Sequence, residues 1–216
     1  MRIEDNYPQD LNKLSELFGQ GEINAKLHIL NEIHAVVEEA WNSNVERLFS
    51  RNISIKYLFI GEAAPPIKEN YFYHDCSGKW CQPIVDAMFV WSERSYDLQV
   101  MYDKLADKRF LLVDTLPFAM DYSIRKQRGK PAYGQLVKMC AYSYLHDKLF
   151  DKRLKWDIDV SVAFGLRKNA EAMIQAFPKG FKLPNGQVIL FKAEQIAVTA
   201  ANYPSRDRIK EVFDLS

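Results

Sequence analysis

The chain has 216 residues, of which 48% are hydrophobic and 26% are charged, a mix typical of a folded globular protein and not of a disordered one. Its 29 basic and 28 acidic side chains nearly cancel, so the net charge of +1 gives no global argument for binding nucleic acid or a membrane surface. No apolar run reaches the roughly 18 residues of a membrane span. We therefore expect no membrane association.

Helix is predicted for the first fifty residues, which we interpret as a helical N-terminal extension. Apolar residues recur at helical spacing from Ile23 to Phe49. The Asn and Ser residues at 42–44 are a candidate break that would divide this segment into two helices.

Four strand-like runs follow, each ending at a turn residue or a polar group. They cover 53–60, 110–113, 158–164 and 195–200, and 188–191 is a candidate for a further short strand. Helical patterns lie between them at 83–94, 97–104, 134–150 and 166–176, and a last one at 206–213.

Buried strands that alternate with helices predict βαβ units and a parallel sheet covered on both faces. We therefore expect a single α/β domain over residues 1–216, with its core at 53–213. The expected fold has three layers, αβα, around a four-stranded and mainly parallel sheet.

Ligands of an open parallel sheet bind beyond the carboxyl ends of its strands. Four segments would meet there: 61–66 (GEAAPP), 114–118 (DTLPF), 165–168 (GLRK) and 202–206 (NYPSR). Each is equally readable as an ordinary strand-to-helix turn. In the first segment, Glu62 can activate water or receive a proton.

An aromatic trio, Tyr71, Phe72 and Tyr73, follows the GEAAPP segment by about ten residues. Beside the carboxylate of Glu62, such rings suit a planar heterocycle stacked in a pocket. The alternative is that the rings belong to the core.

The four segments, in this order, resemble the motifs of the uracil-DNA glycosylase superfamily. GEAAPP is similar to its first loop, FLLVDT to its second strand, VSVAFGLRKNA to its third strand and helix, and VTAANYPSRDR to its last strand and His-Pro-Ser-Pro loop. The resemblance covers about residues 53 to 213. It implies the fold of that family and hydrolysis of the bond between a flipped base and its sugar.

The resemblance also assigns roles residue by residue. Glu62 falls on the polar position that works on water, whereas Ala63 replaces the catalytic Asp of other members. Tyr203 stands where the family has His, and its phenol can donate one hydrogen bond. The implied catalytic residues are therefore Glu62 and Tyr203, and the implied base-binding residues are Phe72, Tyr73, Asp114 and Asn202.

Asp114 lies near the position of a pyrimidine-reading Asn. An ionised carboxylate only accepts hydrogen bonds, so it would repel the O4 edge of uracil and suit a base with an exocyclic amine or ring N–H. We therefore expect uracil not to be the preferred base.

Basic residues follow three of the predicted strand ends and form a candidate rim for phosphates. The segment 123–130 (SIRKQRGK) carries four positive charges. The candidate contacts to a nucleic-acid backbone are Ser205, Arg206, Arg125, Lys126 and Arg167. A solvated, functionally neutral face is the alternative, because Asp121 and Asp207 lie close by in the sequence.

Neither a metal nor a cofactor is predicted. His74, Asp75, Cys76 and Cys81 lack the paired spacing of zinc sites. The chain's three cysteines are too few for the four-cysteine iron–sulfur cluster that some members of the superfamily hold. An odd number of cysteines predicts free thiols in a reducing, cytoplasmic setting.

Three functions remain open from the sequence. The first is a DNA glycosylase acting on a damaged or unusual base, and the second is a non-catalytic module that binds nucleic acid or a nucleotide. The third is a different α/β enzyme acting on a small nucleoside or phosphate compound, although no dinucleotide or P-loop motif is present.

Overall fold

A computed structural model describes residues 2–74, 80–90, 97–199 and 203–215, but not the side chain of Arg125. Its helices are α1 Ile3–Asn6, α2 Pro8–Phe18, α3 Gln20–Ser50, α4 Gln82–Met88, α5 Leu98–Asp107, α6 Pro131–Cys140, α7 His146–Leu149, α8 Arg167–Ala176 and α9 Arg206–Phe213. Its strands are β1 Ser54–Ala63, β2 Phe110–Leu116, β3 Lys155–Phe164, β4 Phe181–Lys182 and β5 Val188–Ile189. The predicted mixture of parallel strands and helices is confirmed.

The three long strands form a parallel sheet in the order β2-β1-β3, so the first strand along the chain lies in the centre. In this register Gly61 is opposite Asp114, and Ile60 is opposite Phe164. The chain moves from β1 to one neighbour and then crosses to the other side. This reversal of strand order creates a crevice at the carboxyl ends, where ligands of such sheets bind.

Alternate side chains of the strands belong to two separate apolar clusters, one on each face of the sheet. Leu111 and Val113 of β2 pack with side chains of α2, α6 and α8. Phe110 and Leu112 point the other way and pack with side chains of α4, α5 and α9. Helices therefore cover both faces, which explains why the strands read as continuous apolar runs.

The N-terminal helices are part of the core. Leu14, Leu17 and Leu30 are at most 2% exposed and share a cluster with strand residues. The candidate break at 42–44 is wrong, because α3 is continuous over 31 residues. Trp41, Val45 and Leu48 continue its buried face through that segment, so packing outweighs the weak helix propensity of Asn and Ser.

The prediction of a fourth strand at 195–200 is not confirmed by the part of this segment that the structure describes. Ile196 makes a single parallel bridge to Phe164, next to β3, and Val198 pairs with Pro204 instead. Because Ala193–Gln195 form a 3₁₀ turn and Val198 pairs locally, Ile196 is the one residue of the described part that joins the sheet. The candidate strand at 188–191 exists as β5, but it pairs with β4 in a separate hairpin.

The remaining helices agree with the sequence pattern apart from their ends. The pattern at 134–150 corresponds to α6, a π-helical turn at Ala141–Leu145 and α7 in succession. Helix α4 ends at Met88, earlier than predicted, and residues 91–96 lie outside the described part. Among the helices of the described segments, none is both long and apolar enough to cross a membrane.

A largely buried ion pair joins α3 to α7. The Lys148 ammonium lies 2.6 and 2.5 Å from the two carboxylate oxygens of Glu38 and is also near the rings of Trp41 and Tyr144. The Lys148 side chain is 7% exposed and that of Glu38 is 19% exposed. Burial lowers the pKa of Lys148, whereas Glu38 opposes that effect. The buried charge of Lys148 is therefore tolerated because Glu38 pairs with it.

Replacing Glu38 with Ala is expected to lower the free energy of unfolding by about 2 to 4 kcal/mol, because it leaves the Lys148 charge buried without its partner. Urea denaturation followed by circular dichroism measures this change. Glu39→Ala is the matched control, since Glu39 is exposed on the same helix. Equal losses in the two variants would show that the ion pair contributes little to stability.

Candidate functional site

A cavity of about 690 Å³ opens at the carboxyl ends of the parallel strands. This volume lies within the range of small-molecule sites. Glu62 from β1, Asp114 from β2 and Tyr203 from the segment before α9 all line it. The three side chains that the sequence assigns to catalysis and base reading therefore share one cavity, as the glycosylase interpretation requires.

Asp114 is the buried polar group of this cavity. Its residue is 6% exposed, and no described residue donates a hydrogen bond to its carboxyl group. The carboxyl group lies against the backbone of Gly61 on the neighbouring strand, where any Cβ atom would collide with it. Burial, followed by the negative charge of Glu62, raises the pKa of Asp114 to about 7. Near neutral pH this group is therefore able to exchange between its protonated and ionised forms.

Glu62 is held by three hydrogen bonds. The Arg128 guanidinium donates through Nε at 2.8 Å to one carboxylate oxygen and through an Nη at 2.5 Å to the other. The Tyr133 hydroxyl donates to the first oxygen at 2.7 Å. This two-point pair fixes the plane of the carboxylate and occupies most of its acceptor positions. Glu62 is thus fixed in one orientation.

Aromatic rings form one wall of the cavity. Phe72, Tyr71 and Trp80 all line it, and Trp80 packs edge-to-face on Phe59 with the ring centroids 5.7 Å apart. Trp80 lies close to Gly165, where an added Cβ would be 2.8 Å from its ring. Trp80 is not predictable as a site residue from the sequence, because a single Trp before a predicted helix carries no distinguishing pattern.

A buried hydrogen-bond network holds the strand ends beneath the cavity. The amide nitrogen of Asn169, on α8, donates at 2.9 Å to the Gly61 carbonyl and at 2.9 Å to the Thr115 hydroxyl. That hydroxyl in turn donates to the same carbonyl at 3.0 Å. Asn169 and Thr115 are fully buried. Both were missed from the sequence, since neither differs from an ordinary polar residue at the end of an element.

Two of the predicted contact residues, Tyr73 and Ser205, form hydrogen bonds within the fold. Tyr73 does not line the cavity: its hydroxyl accepts a hydrogen bond from the Leu112 amide at 2.8 Å, and its ring packs on Phe72 and Tyr102. The cavity geometry therefore does not support its assignment as a base-binding residue, which stays a prediction. Ser205 caps α9 by accepting from the Arg208 amide at 3.4 Å.

The expected basic rim is weaker than the sequence indicates. Lys126, Arg167 and Arg206 are exposed, but Arg128 from the same basic run turns into the cavity to meet Glu62. Lys130 donates to the carbonyl of Leu17 at 3.0 Å. Asn202 and the side chain of Arg125 lie outside the described part.

The described residues include no cluster of side chains able to hold a metal ion. Of the four candidate ligands, Cys81 is buried as a free thiol, whereas Asp75 and Cys76 fall outside the described segments.

The fold and the site define a mixed α/β protein with a ligand-sized cavity at the carboxyl edge of a parallel sheet. No protein-family model matches the chain, and no match was found among curated proteins or solved structures.

Replacing Gly165 with Ala is expected to lower the free energy of unfolding by about 1 to 3 kcal/mol, because the new methyl group overlaps a packed aromatic wall. Its Cβ would lie 2.6 Å from Phe59 and 2.8 Å from Trp80. Thermal denaturation measures the loss, and a shift in tryptophan fluorescence reports displacement of Trp80. Gly134→Ala is the control: open space in α6 makes a neutral or stabilising effect the expected result. Similar losses in both variants would contradict the close packing.

Replacing Asp114 with Asn is expected to stabilise the protein in a pH-dependent way. Between its ordinary pKa of 3.8 and about 7, the folded protein holds this proton and the unfolded chain does not. The contribution of Asp114 to stability therefore falls as pH rises through this window, by up to roughly 4 kcal/mol. Unfolding in urea at pH 4 and pH 8 should show a small difference between variant and wild type at pH 4 and a large one at pH 8. A difference that is the same at both values would show that Asp114 titrates normally.

Proposed function

We propose that the protein is a divergent relative of the uracil-DNA glycosylase superfamily and hydrolyses the N-glycosidic bond of an unusual base. The observation that carries this proposal is Asp114, a buried carboxyl group without a described donor that faces a cavity with an aromatic wall. A largely desolvated carboxyl group that borders a cavity and has no described donor is available to hydrogen-bond a ligand there.

The arrangement of the chain supports the proposed fold. Glu62, Asp114, Leu166 and Tyr203 reach the cavity from four successive segments, in the order that the resemblance implies. Ile196 bridges Phe164 on the outer side of β3, which is where a fourth parallel strand of that fold would lie.

The chemistry fits a bond cleavage in which positive charge develops on the sugar and negative charge on the departing base. Glu62, fixed by Arg128 and Tyr133, retains acceptor capacity on the oxygen that only Arg128 contacts, and this oxygen can orient water. Trp80, partly exposed in the cavity wall, offers a ring for stacking on the base, whereas Phe72 is 2% exposed and packs behind that wall. Tyr203, 53% exposed, lies at the mouth and can donate to the departing side.

The elevated pKa of Asp114 revises the expected base preference. The protonated acid donates through its hydroxyl and accepts through its carbonyl, as an amide does, whereas the ionised form only accepts. The charge of Glu62 on β1 acts on this equilibrium, and Asp114 in turn contributes to the raised pKa of Tyr71. Below about pH 7 the protonated Asp114 can therefore pair with the carbonyl edge of a base. Above about pH 7 the ionised form favours bases that present hydrogen-bond donors.

The test is base release from oligonucleotides that each carry one modified base, read as strand breakage after heating in alkali. The expected result is breakage of at least one substrate by the wild-type protein and a loss of about a hundredfold or more in rate for Asp114→Ala. Asp159→Asn, an exposed change away from the cavity, serves as the matched control and should retain the activity. Absence of breakage on every substrate would reject the enzymatic proposal.

A non-catalytic nucleobase-binding module is the second candidate, and the ion pair of Glu62 favours it. The hydrogen bonds from Arg128 and Tyr133 already occupy most acceptor positions of this carboxylate, which leaves fewer for a catalytic water. In this case the same oligonucleotides would bind, with loss of affinity in Asp114→Ala, and none would be cleaved.

A further inference from the structure

We propose that the base held in this cavity is cationic, a ring-alkylated purine or pyrimidine whose heterocycle carries a positive charge. This inference rests on the proposed function and names its substrate class. It follows from the charge of the cavity lining, the rings beside it and the weakness of its hydrogen-bond donors.

The described lining carries more acidic than basic groups. Glu62, Asp114 and Asp121 contribute carboxyl groups, and Arg128 contributes a guanidinium that Glu62 already pairs. Asp121 accepts from the amide and hydroxyl of Ser123, which does not neutralise its charge. The three carboxyl groups thus outnumber the single guanidinium in the described lining, and Asp121 also interacts with that guanidinium. Such a cavity disfavours phosphate or an anionic base and favours a positive ligand.

The aromatic wall adds attraction of the same sign. The faces of Trp80, Tyr71 and Phe72 carry the negative part of the ring quadrupole, which attracts a delocalised cation more strongly than a neutral ring of the same shape. This effect is largest where water is excluded. Tyr71 and Phe72 are 3% and 2% exposed, so the partly exposed Trp80 offers the larger ring surface to the cavity.

Asp114 gives the lining its selectivity for charge. Its carboxyl group has lost most of its water and has no described hydrogen-bond donor. A cation stacked in the cavity would stabilise the ionised form, whereas a neutral base would leave it unstabilised. Binding of the cation would then release the proton that the empty site holds for part of the time.

The absence of imidazole at the position of Tyr203 fits the same substrate class. When the bond between C1′ and a cationic base breaks, its electron pair stays on the ring nitrogen and the base leaves as a neutral molecule. The oxygen of water bonds to C1′, and a proton from that water passes to solvent. No base anion forms, so a strong donor for it is unnecessary. An exposed phenol such as Tyr203 then suffices.

The first experiment measures binding to the wild-type protein by isothermal titration calorimetry at pH 7. The probes are 1-methyladenosine and 3-methylcytidine, which are cationic at that pH, against adenosine and cytidine. The expected result is at least about tenfold tighter binding of the methylated nucleosides. In Asp114→Asn this preference should shrink to about twofold or less, whereas Asp159→Asn should retain it. A thermal melt of each variant verifies that it is folded.

The second experiment measures release of 7-methylguanine and 3-methyladenine from DNA treated with dimethyl sulfate, with buffer alone as the control for spontaneous loss. Oligonucleotides containing uracil or hypoxanthine represent neutral bases. Release of the methylated bases by the wild-type protein, without release of the neutral ones, is the expected result. If neutral bases are released equally well, the inference about charge is wrong and the proposed glycosylase function stands. If neutral bases are bound equally well but none is released, the inference about charge is wrong and the non-catalytic module is favoured. If no base is bound or released, both fail.

Discussion

The close approach of Gly61 and Asp114 is the constraint on which the site depends. Parallel pairing of β1 and β2 puts these residues opposite each other, and the missing side chain of Gly61 leaves room for the carboxyl group. Asn169 and Thr115 hold the Gly61 carbonyl from below, so the strand cannot move away to relieve the contact. The carboxyl group is therefore buried by backbone geometry, and its elevated pKa follows from that position.

The N-terminal helices act on the same site through α6. Helix α2 packs on α6, and the Lys130 ammonium just before α6 donates to the Leu17 carbonyl at the end of α2. Tyr133, one turn into α6, donates to Glu62 at 2.7 Å. The orientation of Glu62 thus depends on helices that precede the sheet in the chain. Residues 1–50 contribute to the geometry of the cavity as well as to the core.

The sequence predicts those features that depend on local pattern. Apolar runs that end in Gly or Asp indicate the strands and their carboxyl ends, and these place Glu62 and Asp114 at one edge. Arg128 was not distinguishable, because a basic run has the same composition whether its members face solvent or a carboxylate. Tyr73 was grouped with Tyr71 and Phe72 because three consecutive aromatic residues are not distinguishable in the sequence, and the tertiary structure shows which of them line the cavity. The prediction of a fourth strand is not confirmed, because strand propensity does not reveal that Val198 pairs with Pro204.

The identity of residue 114 narrows the possible functions. An asparagine there would have nearly the same shape and the same ability to donate and accept, and it would be buried at a smaller cost in free energy. A carboxyl group adds two properties to this, a negative charge and a proton that can be transferred near neutral pH. Neither the charge nor the proton stabilises a purely structural position that has no described partner. Both can interact with a ligand that is charged or that changes its protonation state. The cost of burying Asp114 is therefore best explained by what enters the cavity beside it.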